Sequence, residues 1–334
     1  MNLFSVTSPF QYICALEAKA HYQTKNNILL LVEQLSEPGL SQQKKLVDDS
    51  DWDYIIKIPR TNRTRNLPKA IKEIWRITKN KQINNFFHAE YNGWRTKLLL
   101  RNLNINKEIY FDDGTLTINE YEEEIRSKAI YSRKRFVNDL ALKLQGIKPI
   151  GDLPQSEKLE LFTIFDIENP EHVIVKNTLS ELKKKVGSTE LFDPTSPVGF
   201  IGEGAIGHKR RKTHEVYVEE VKNVAVNYPQ GIIYFPHRTE SQETREAIKA
   251  IPSLTYHQSE YPLEIELIEK KIKLSMLIGT LSTAQYTASL IYKDMPIYTI
   301  ETSIDMLPQN IQRRCKRIED VYAKRGISTI SSKI

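Results

Sequence analysis

Asn27-Ile28-Leu29-Leu30-Leu31-Val32 is apolar at every position after the first. A strand with one wet face would alternate apolar and polar residues. One that does not is buried on both faces, as in a parallel sheet covered by helices. On its N-terminal side, residues 3–7 form a short apolar segment, and Ser8-Pro9 opens a helix in which Phe10, Ile13, Cys14 and Ala18 share a face. A capping Ser before Pro at the first helical position is the chemistry of a helix start. On its C-terminal side, strands are predicted at 54–58, 83–88 and 108–111, with helices at 68–78 and 94–103 between them. This alternation over the first 115 residues predicts a doubly wound parallel α/β sheet.

From about residue 119 to 191 the chain is rich in Lys and Glu, and only 161–165 reads as a strand. A second alternating section begins at 198–202, with strands predicted at 231–235, 253–256, 273–278 and 296–300 and helices at 214–228, 241–250, 262–270 and 282–292. Leu307, Ile311, Cys315, Ile318 and Tyr322 fall at helical spacing, with Gly326 just past the end. The expectation is a two-domain α/β protein. It has two Rossmann-like domains, 1–190 and 191–334, a deep cleft between them, and a closing C-terminal helix able to pack back on the first domain.

The 334 residues are 40% hydrophobic and 27% charged with 13 Gly and 15 Pro, which excludes disorder, collagen-like repeats and a disulfide scaffold. Lys and Arg exceed Asp and Glu by 48 to 42, a net charge of +6 that suits anionic partners without demanding nucleic acid. Cys14 and Cys315 show no pairing pattern, and the N-terminus has no basic leader region, so a reducing cytoplasm is expected. The longest apolar run, Ile28 to Val32, is far short of the ~18–20 residues a membrane-spanning helix needs.

Ligands of open α/β sheets bind outside the carboxyl ends of the strands, so polar residues just after predicted strands are the candidates. Asp112-Asp113-Gly114 follows one strand. Neighbouring carboxylates there point to different sides, one toward a substrate and one into the loop, although Asp-Asp-Gly is also an ordinary turn. His237-Arg238 follows another and suits a phosphate, or else a loop His bonded to backbone. Gly279-Thr280-Leu281-Ser282-Thr283-Ala284 joins a strand to a helix. Its hydroxyls cap that helix and can also present N–H groups to an anion. Gly202-Glu203-Gly204-Ala205-Ile206-Gly207 has the GxGxxG spacing, but the Lys-Arg-Arg-Lys that follows is no helix start, so a dinucleotide site is not expected. No HExxH or CxxC spacing marks a metal site.

Taken in order, Thr7-Ser8-Pro9-Phe10-Gln11, Asp112-Asp113-Gly114, residues 161–165, Phe235-Pro236-His237, Tyr261-Pro262-Leu263-Glu264 and Leu281-Ser282-Thr283-Ala284 resemble bacterial GT-B sialyltransferases. The likeness is to the lipooligosaccharide and capsule type, glycosyltransferase family 52 and its polysialyltransferase relatives. It implies an inverting, metal-independent transfer of sialic acid or a related nonulosonic acid from its CMP ester to a glycan hydroxyl, with no cofactor. By resemblance Asp113 is the general base, and His237 binds and protonates the departing CMP phosphate. Ser282 and Thr283 hold the donor's phosphate or carboxylate, and Glu264 lies near the ribose. Ser8, Gln11, Asp112, Gly114 and Arg238 complete the expected substrate contacts, Arg238 standing where the family has Pro.

Other readings keep the fold and change the donor to CMP-Kdo or a UDP- or GDP-sugar, or make the chain a basic binder of glycans or nucleic acid. Arg60, Arg63 and Arg65 form one basic cluster, and Arg313, Arg314, Lys316 and Arg317 form another. No interleaved aromatics accompany them, so nucleic acid is not the expected partner. The second cluster suits peripheral contact with the anionic inner face of a membrane.

Overall fold

The computed structural model describes residues 1–35, 37–186, 190–204, 206–207, 212–292, 294–301 and 308–331. The chain divides into two compact units, Met1–Leu182 and Lys183–Ile334, whereas the sequence places the division near residue 190. The first unit runs β1 (Asn2–Val6), α1 (Pro9–His21), β2 (Asn27–Glu33), α2 (Gly39–Leu46), β3 (Tyr54–Pro59), α3 (Arg63–Thr78), β4 (Ile83–His88), α4 (Trp94–Asn102) and β5 (Ile105–Phe111). It continues through α5 (Leu116–Glu120), β6 (Tyr131–Arg133), α6 (Phe136–Leu144), β7 (Gly151–Leu153), β8 (Leu159–Thr163) and β9 (Val173–Lys176), and α7 (Ser180–Val186) crosses the division. Its sheet has seven parallel strands in the order β3-β2-β1-β4-β5-β8-β9, and β6 pairs with β7 in a small antiparallel ribbon.

The apolar run in β2 feeds two cores. Ile28, Leu30 and Val32 face Leu3, Phe86, Ile71 and Leu98 on one side of the sheet. Leu29 and Leu31 face Phe4, Phe87, Tyr12 and Ala15 on the other. Both faces are dry, which is why no alternation is visible.

The second unit contains β10 (Val198–Ile201), α8 (His214–Asn227), β11 (Ile232–Phe235), α9 (Gln242–Lys249), β12 (Leu254–Tyr256), α10 (Leu263–Glu269), β13 (Met276–Gly279), α11 (Thr283–Ile291), β14 (Ile297–Ile300), α12 (Gln309–Lys324) and β15 (Ser328–Ile330). Its six strands are parallel in the order β12-β11-β10-β13-β14-β15. Val198, Phe200, Ile232, Tyr234 and Ile278 pack there against Tyr217, Val221 and Ile248.

Some elements differ from expectation. The helix predicted from residue 68 starts at Arg63 and carries Pro68 inside it. Proline deprives the Thr64 carbonyl of its helical donor, and the Gln145 side chain supplies one at 3.1 Å. The expected strand at 161–165 lies two residues earlier, and the edge strand β9 beside it, Val-Ile-Val-Lys, was not expected despite its apolar run. After α12, Gly326 at φ +83 turns the chain into β15. Of the face expected on α12, Tyr322 is buried, Ile311, Cys315 and Ile318 are half-buried, and Leu307 lies outside the described residues.

Candidate active site

In each sheet the strand order reverses direction at one point, between β1 and β4 in the first unit and between β10 and β13 in the second. Ligands of such sheets bind at that point, and the candidate residues gather around both.

In the first unit the chain leaves β1 through Thr7 and Ser8. Ser8 caps α1, its Oγ accepting from the Gln11 amide at 3.2 Å, and Pro9 occupies the first turn. This fixes Gln11, a buried residue whose Oε1 accepts from the Thr7 amide at 2.7 Å and whose Nε2 donates to Asp113 Oδ1 at 2.7 Å. The Asp113 amide donates to Thr117 Oγ1 at 3.0 Å, and Gly114 turns the loop at φ +68, a conformation that strains a residue with a Cβ. The start of α1 therefore aims a carboxylate that stands 102 residues away in sequence.

Asp112, expected at the substrate, is 0% exposed. Its Oδ1 accepts from Thr163 Oγ1 at 2.5 Å and its Oδ2 from the Ile164 amide at 2.7 Å, so it ties the end of β5 to the end of β8. Burial outweighs those hydrogen bonds and pushes its carboxyl up to about 7. Ser8, Gln11 and Gly114 were expected to touch substrate as well. Within the chain their interactions position Asp113, which is half-buried at the mouth of β5.

Two carboxylates were missed. Glu90 accepts from Thr7 Oγ1 at 3.0 Å. It stands two residues past β4, so the strand-end rule applied there would have found it. Glu120 accepts from Tyr110 at 2.7 Å; burial, and then the negative charge of Asp113, push it up to about 7.

In the second unit, β10 ends in Gly202-Glu203-Gly204. The Gly202 amide donates to the Phe235 carbonyl at 2.8 Å, and a Cβ there would lie 2.7 Å from Tyr234 Oη and 2.9 Å from the His237 nitrogen. A Cβ on Gly204 would lie 2.7 Å from His237 Cε1. These two glycines let one loop lie against the imidazole that follows β11.

His237 Nδ1 accepts from the Thr239 amide at 3.2 Å, with Thr239 Oγ1 at 2.8 Å. An amide only donates, so the neutral ring carries its proton on Nε2. Burial, and then the charge of Arg238, hold the imidazole down at about 4. His237 is thus an N–H donor at neutral pH. In this state it can give a phosphate a hydrogen bond. A file of hydroxyls steadies this loop: Tyr256 and Tyr234 donate to Glu240 at 2.6 Å each, and Tyr217, 2.8 Å from Tyr234, accepts from the Glu203 amide at 3.0 Å.

Ser282 caps α11, its Oγ accepting from the Ala284 amide at 3.3 Å while Gln285 Oε1 accepts from the Ser282 amide at 2.8 Å. Thr283 is the first helical residue. Glu203, another residue missed by the sequence reading, accepts from Thr280 Oγ1 at 2.9 Å and pairs with Lys212 at 3.1 Å, joining the mouths of β10 and β13. Glu264 is 6% exposed and accepts from Thr287 Oγ1 at 3.0 Å, which ties α10 to α11. Among the described residues, no group of three or more His, Cys, Asp or Glu side chains is placed to hold a metal ion, and no helix is long and apolar enough to cross a membrane.

No family model matches the chain, and no curated protein does. Solved structures do. The glycosyltransferase of kitacinnamycin is similar with a TM-score of 0.53 at 10% identity, over 99% of this chain and 86% of that one. UDP-GlcNAc 2-epimerase from Neisseria meningitidis, bound to UDP-GlcNAc, is similar with a TM-score of 0.51 at 12% identity, over 97% of this chain and 91% of that one. The α/β-galactoside α-2,3-sialyltransferase of Photobacterium phosphoreum covers 98% of both chains at 10% identity with a TM-score of 0.48. The shared property is the fold: two parallel α/β sheets of the GT-B kind, as the sequence led us to expect.

Proposed function

We propose that the protein is an inverting glycosyltransferase that moves sialic acid, or a related nonulosonic acid, from its CMP ester to a hydroxyl of a surface glycan. The observation that carries this reading is Asp113, a carboxylate at the mouth of β5 held by Gln11, which stands in the first turn of the helix after β1. In the proposed reaction Asp113 takes the acceptor's hydroxyl proton as that oxygen bonds to the anomeric carbon. The bond from that carbon to the phosphate oxygen breaks, and its electron pair leaves with CMP. His237 donates its Nε2–H to the departing phosphate, and Arg238 supplies fixed positive charge. Thr283, the first residue of α11, adds a hydroxyl for the phosphate or carboxylate at the positive end of that helix.

The test is incubation with CMP-activated nonulosonic acids and a panel of glycan acceptors, with products identified by mass. Calorimetric titration of CMP, UDP and GDP separates the donors. Preference for UDP would replace the CMP reading with a UDP-sugar transferase, which the UDP-GlcNAc bound by the similar epimerase favours. His237→Ala is expected to lower turnover by ~10²-fold, typical of a group acting on the leaving oxygen.

A further inference from the structure

The basic cluster that follows β3 has no part in the reaction above. Arg60 Nη1 lies 3.5 Å from the Thr7 carbonyl, and Arg95 Nη2 donates to the Arg60 carbonyl at 3.0 Å. The Arg63 guanidinium lies over the Trp94 ring at 5.3 Å. Burial, together with the nearby charges of Arg60 and Arg63, lowers the Arg95 guanidinium below its usual range despite Glu90. Arg95 Nε is buried without a hydrogen-bond partner. Three cations thus crowd together with Glu90 as the carboxylate among them.

Their placement also runs against helix electrostatics. Arg63 opens α3 and Arg95 is the second residue of α4. Neither helix has a side-chain cap or an acidic residue in its first turn. A helix start carries partial positive charge and favours anions. Arginine in both first turns is unfavourable until an anion arrives.

We propose that this cluster is an anion-binding subsite for the acceptor, which is itself an acidic glycan bearing a carboxylate or a phosphate ester. Thr7 links the subsite to the base. Its carbonyl faces Arg60, its amide donates to Gln11, and Gln11 holds Asp113. An acid seated on the arginines presents its neighbouring hydroxyls toward that carboxylate. The assignment of this ligand as acceptor rests on the transferase reading, but its binding does not.

The test is calorimetric titration of the full chain with lactose, a sialic-acid-terminated trisaccharide and lactose 6-phosphate. One acidic glycan or both bind at least ~10-fold more tightly than lactose, and which of them does identifies the anion. Arg60→Gln and Arg63→Gln each reduce that affinity ~10-fold and leave nucleotide binding unchanged. Equal affinity for lactose, binding of none of the three, or unchanged affinity in both variants overturns the proposal. Acidic-glycan binding without transfer from any CMP-sugar would sink the transferase reading and leave the subsite standing.

A second surface stands on a different observation. α6 is anchored by Leu142, 1% exposed, yet Phe136 is 85%, Val137 77%, Leu140 48% and Leu144 81% exposed. Lys134, Arg135, Lys143 and Lys148 lie in or beside α6 along the chain, against two acids, Asp139 and Asp152, the latter paired with Lys134 at 2.9 Å. Contiguous apolar surface of this kind marks a docking site. A second copy of the chain would bring one basic rim against another, whereas anionic lipid headgroups complement it.

We infer that α6 lies on an anionic membrane surface, which moves the expected membrane contact away from the basic segment of α12. Sedimentation with phosphatidylcholine vesicles, with and without phosphatidylglycerol, tests it. The protein pellets with the anionic vesicles, and the double variant Phe136→Ser, Val137→Ser loses at least ~10-fold in partitioning. That variant keeps its rate on a short soluble acceptor. No binding by the parent protein, or equal binding by the variant, overturns the inference. So does a dimer that the substitutions dissolve without any vesicle binding.

Discussion

Asp112 and Asp113 are adjacent, yet their surroundings give them opposite tasks. Asp113 accepts a hydrogen bond from Gln11 that helps to aim it. Asp113→Asn is expected to lower turnover by ~10²-fold or more with the fold intact, as for a lost general base. Gln11→Ala, which removes this hydrogen bond and keeps the carboxylate, should lower kcat by about tenfold while donor KM holds. Wild-type turnover in Asp113→Asn would remove the assignment. Asp112 makes a separate prediction about stability. Its folded carboxyl titrates near 7, above its ordinary 3.8, so the folded chain binds the extra proton between those values. Its contribution is complete below about pH 4 and is lost as pH rises toward 7. The stability deficit of Asp112→Asn should therefore shrink between pH 5 and pH 8, read from urea midpoints. A deficit that grows with pH would contradict the assigned protonation.

At the scale of elements, the Gly202-Glu203-Gly204 turn and the loop after β11 form one piece. Gly204→Ala puts a methyl group within 2.7 Å of the His237 ring. We expect at least ~10-fold weaker nucleotide binding by calorimetry, with an unfolding midpoint close to that of the parent. The buried strands were legible because both faces of β1, β2 and β4 carry large apolar side chains, and Asp113 was legible because it follows such a strand. The Gln11–Asp113 and Thr7–Glu90 bonds were not, since they join residues 102 and 83 positions apart and leave no local pattern. The start of α3 was hidden for another reason. Pro68 reads locally as a first-turn residue, and the side chain that makes it tolerable inside the helix, Gln145, stands 81 residues past Thr64. Strand β15 is three residues at a sheet edge, two of them exposed and only Ile330 apolar, so it leaves no local pattern, whereas the Val-Ile-Val run of β9 was legible and was passed over inside a Lys- and Glu-rich region.

The whole molecule repeats one plan twice, a parallel sheet whose order reverses once and a loop carrying polar groups at that reversal. Each half-site is built from residues of its own unit, so their binding energies should be separable. Asp113→Asn is expected to leave calorimetric nucleotide affinity within about twofold of the parent, and His237→Ala to do the same for the acidic glycan. A large loss across units in either variant would show the sites to be coupled. The Arg63 guanidinium above Trp94 gives this division an optical signature. Trp52, Trp75 and Trp94 are the three tryptophans of the chain, and all belong to the first unit. Tryptophan emission therefore arises in the first unit. An anion that draws Arg63 away from the indole should change that emission. The chain carries its own fluorescent label for the acceptor, with no dye attached.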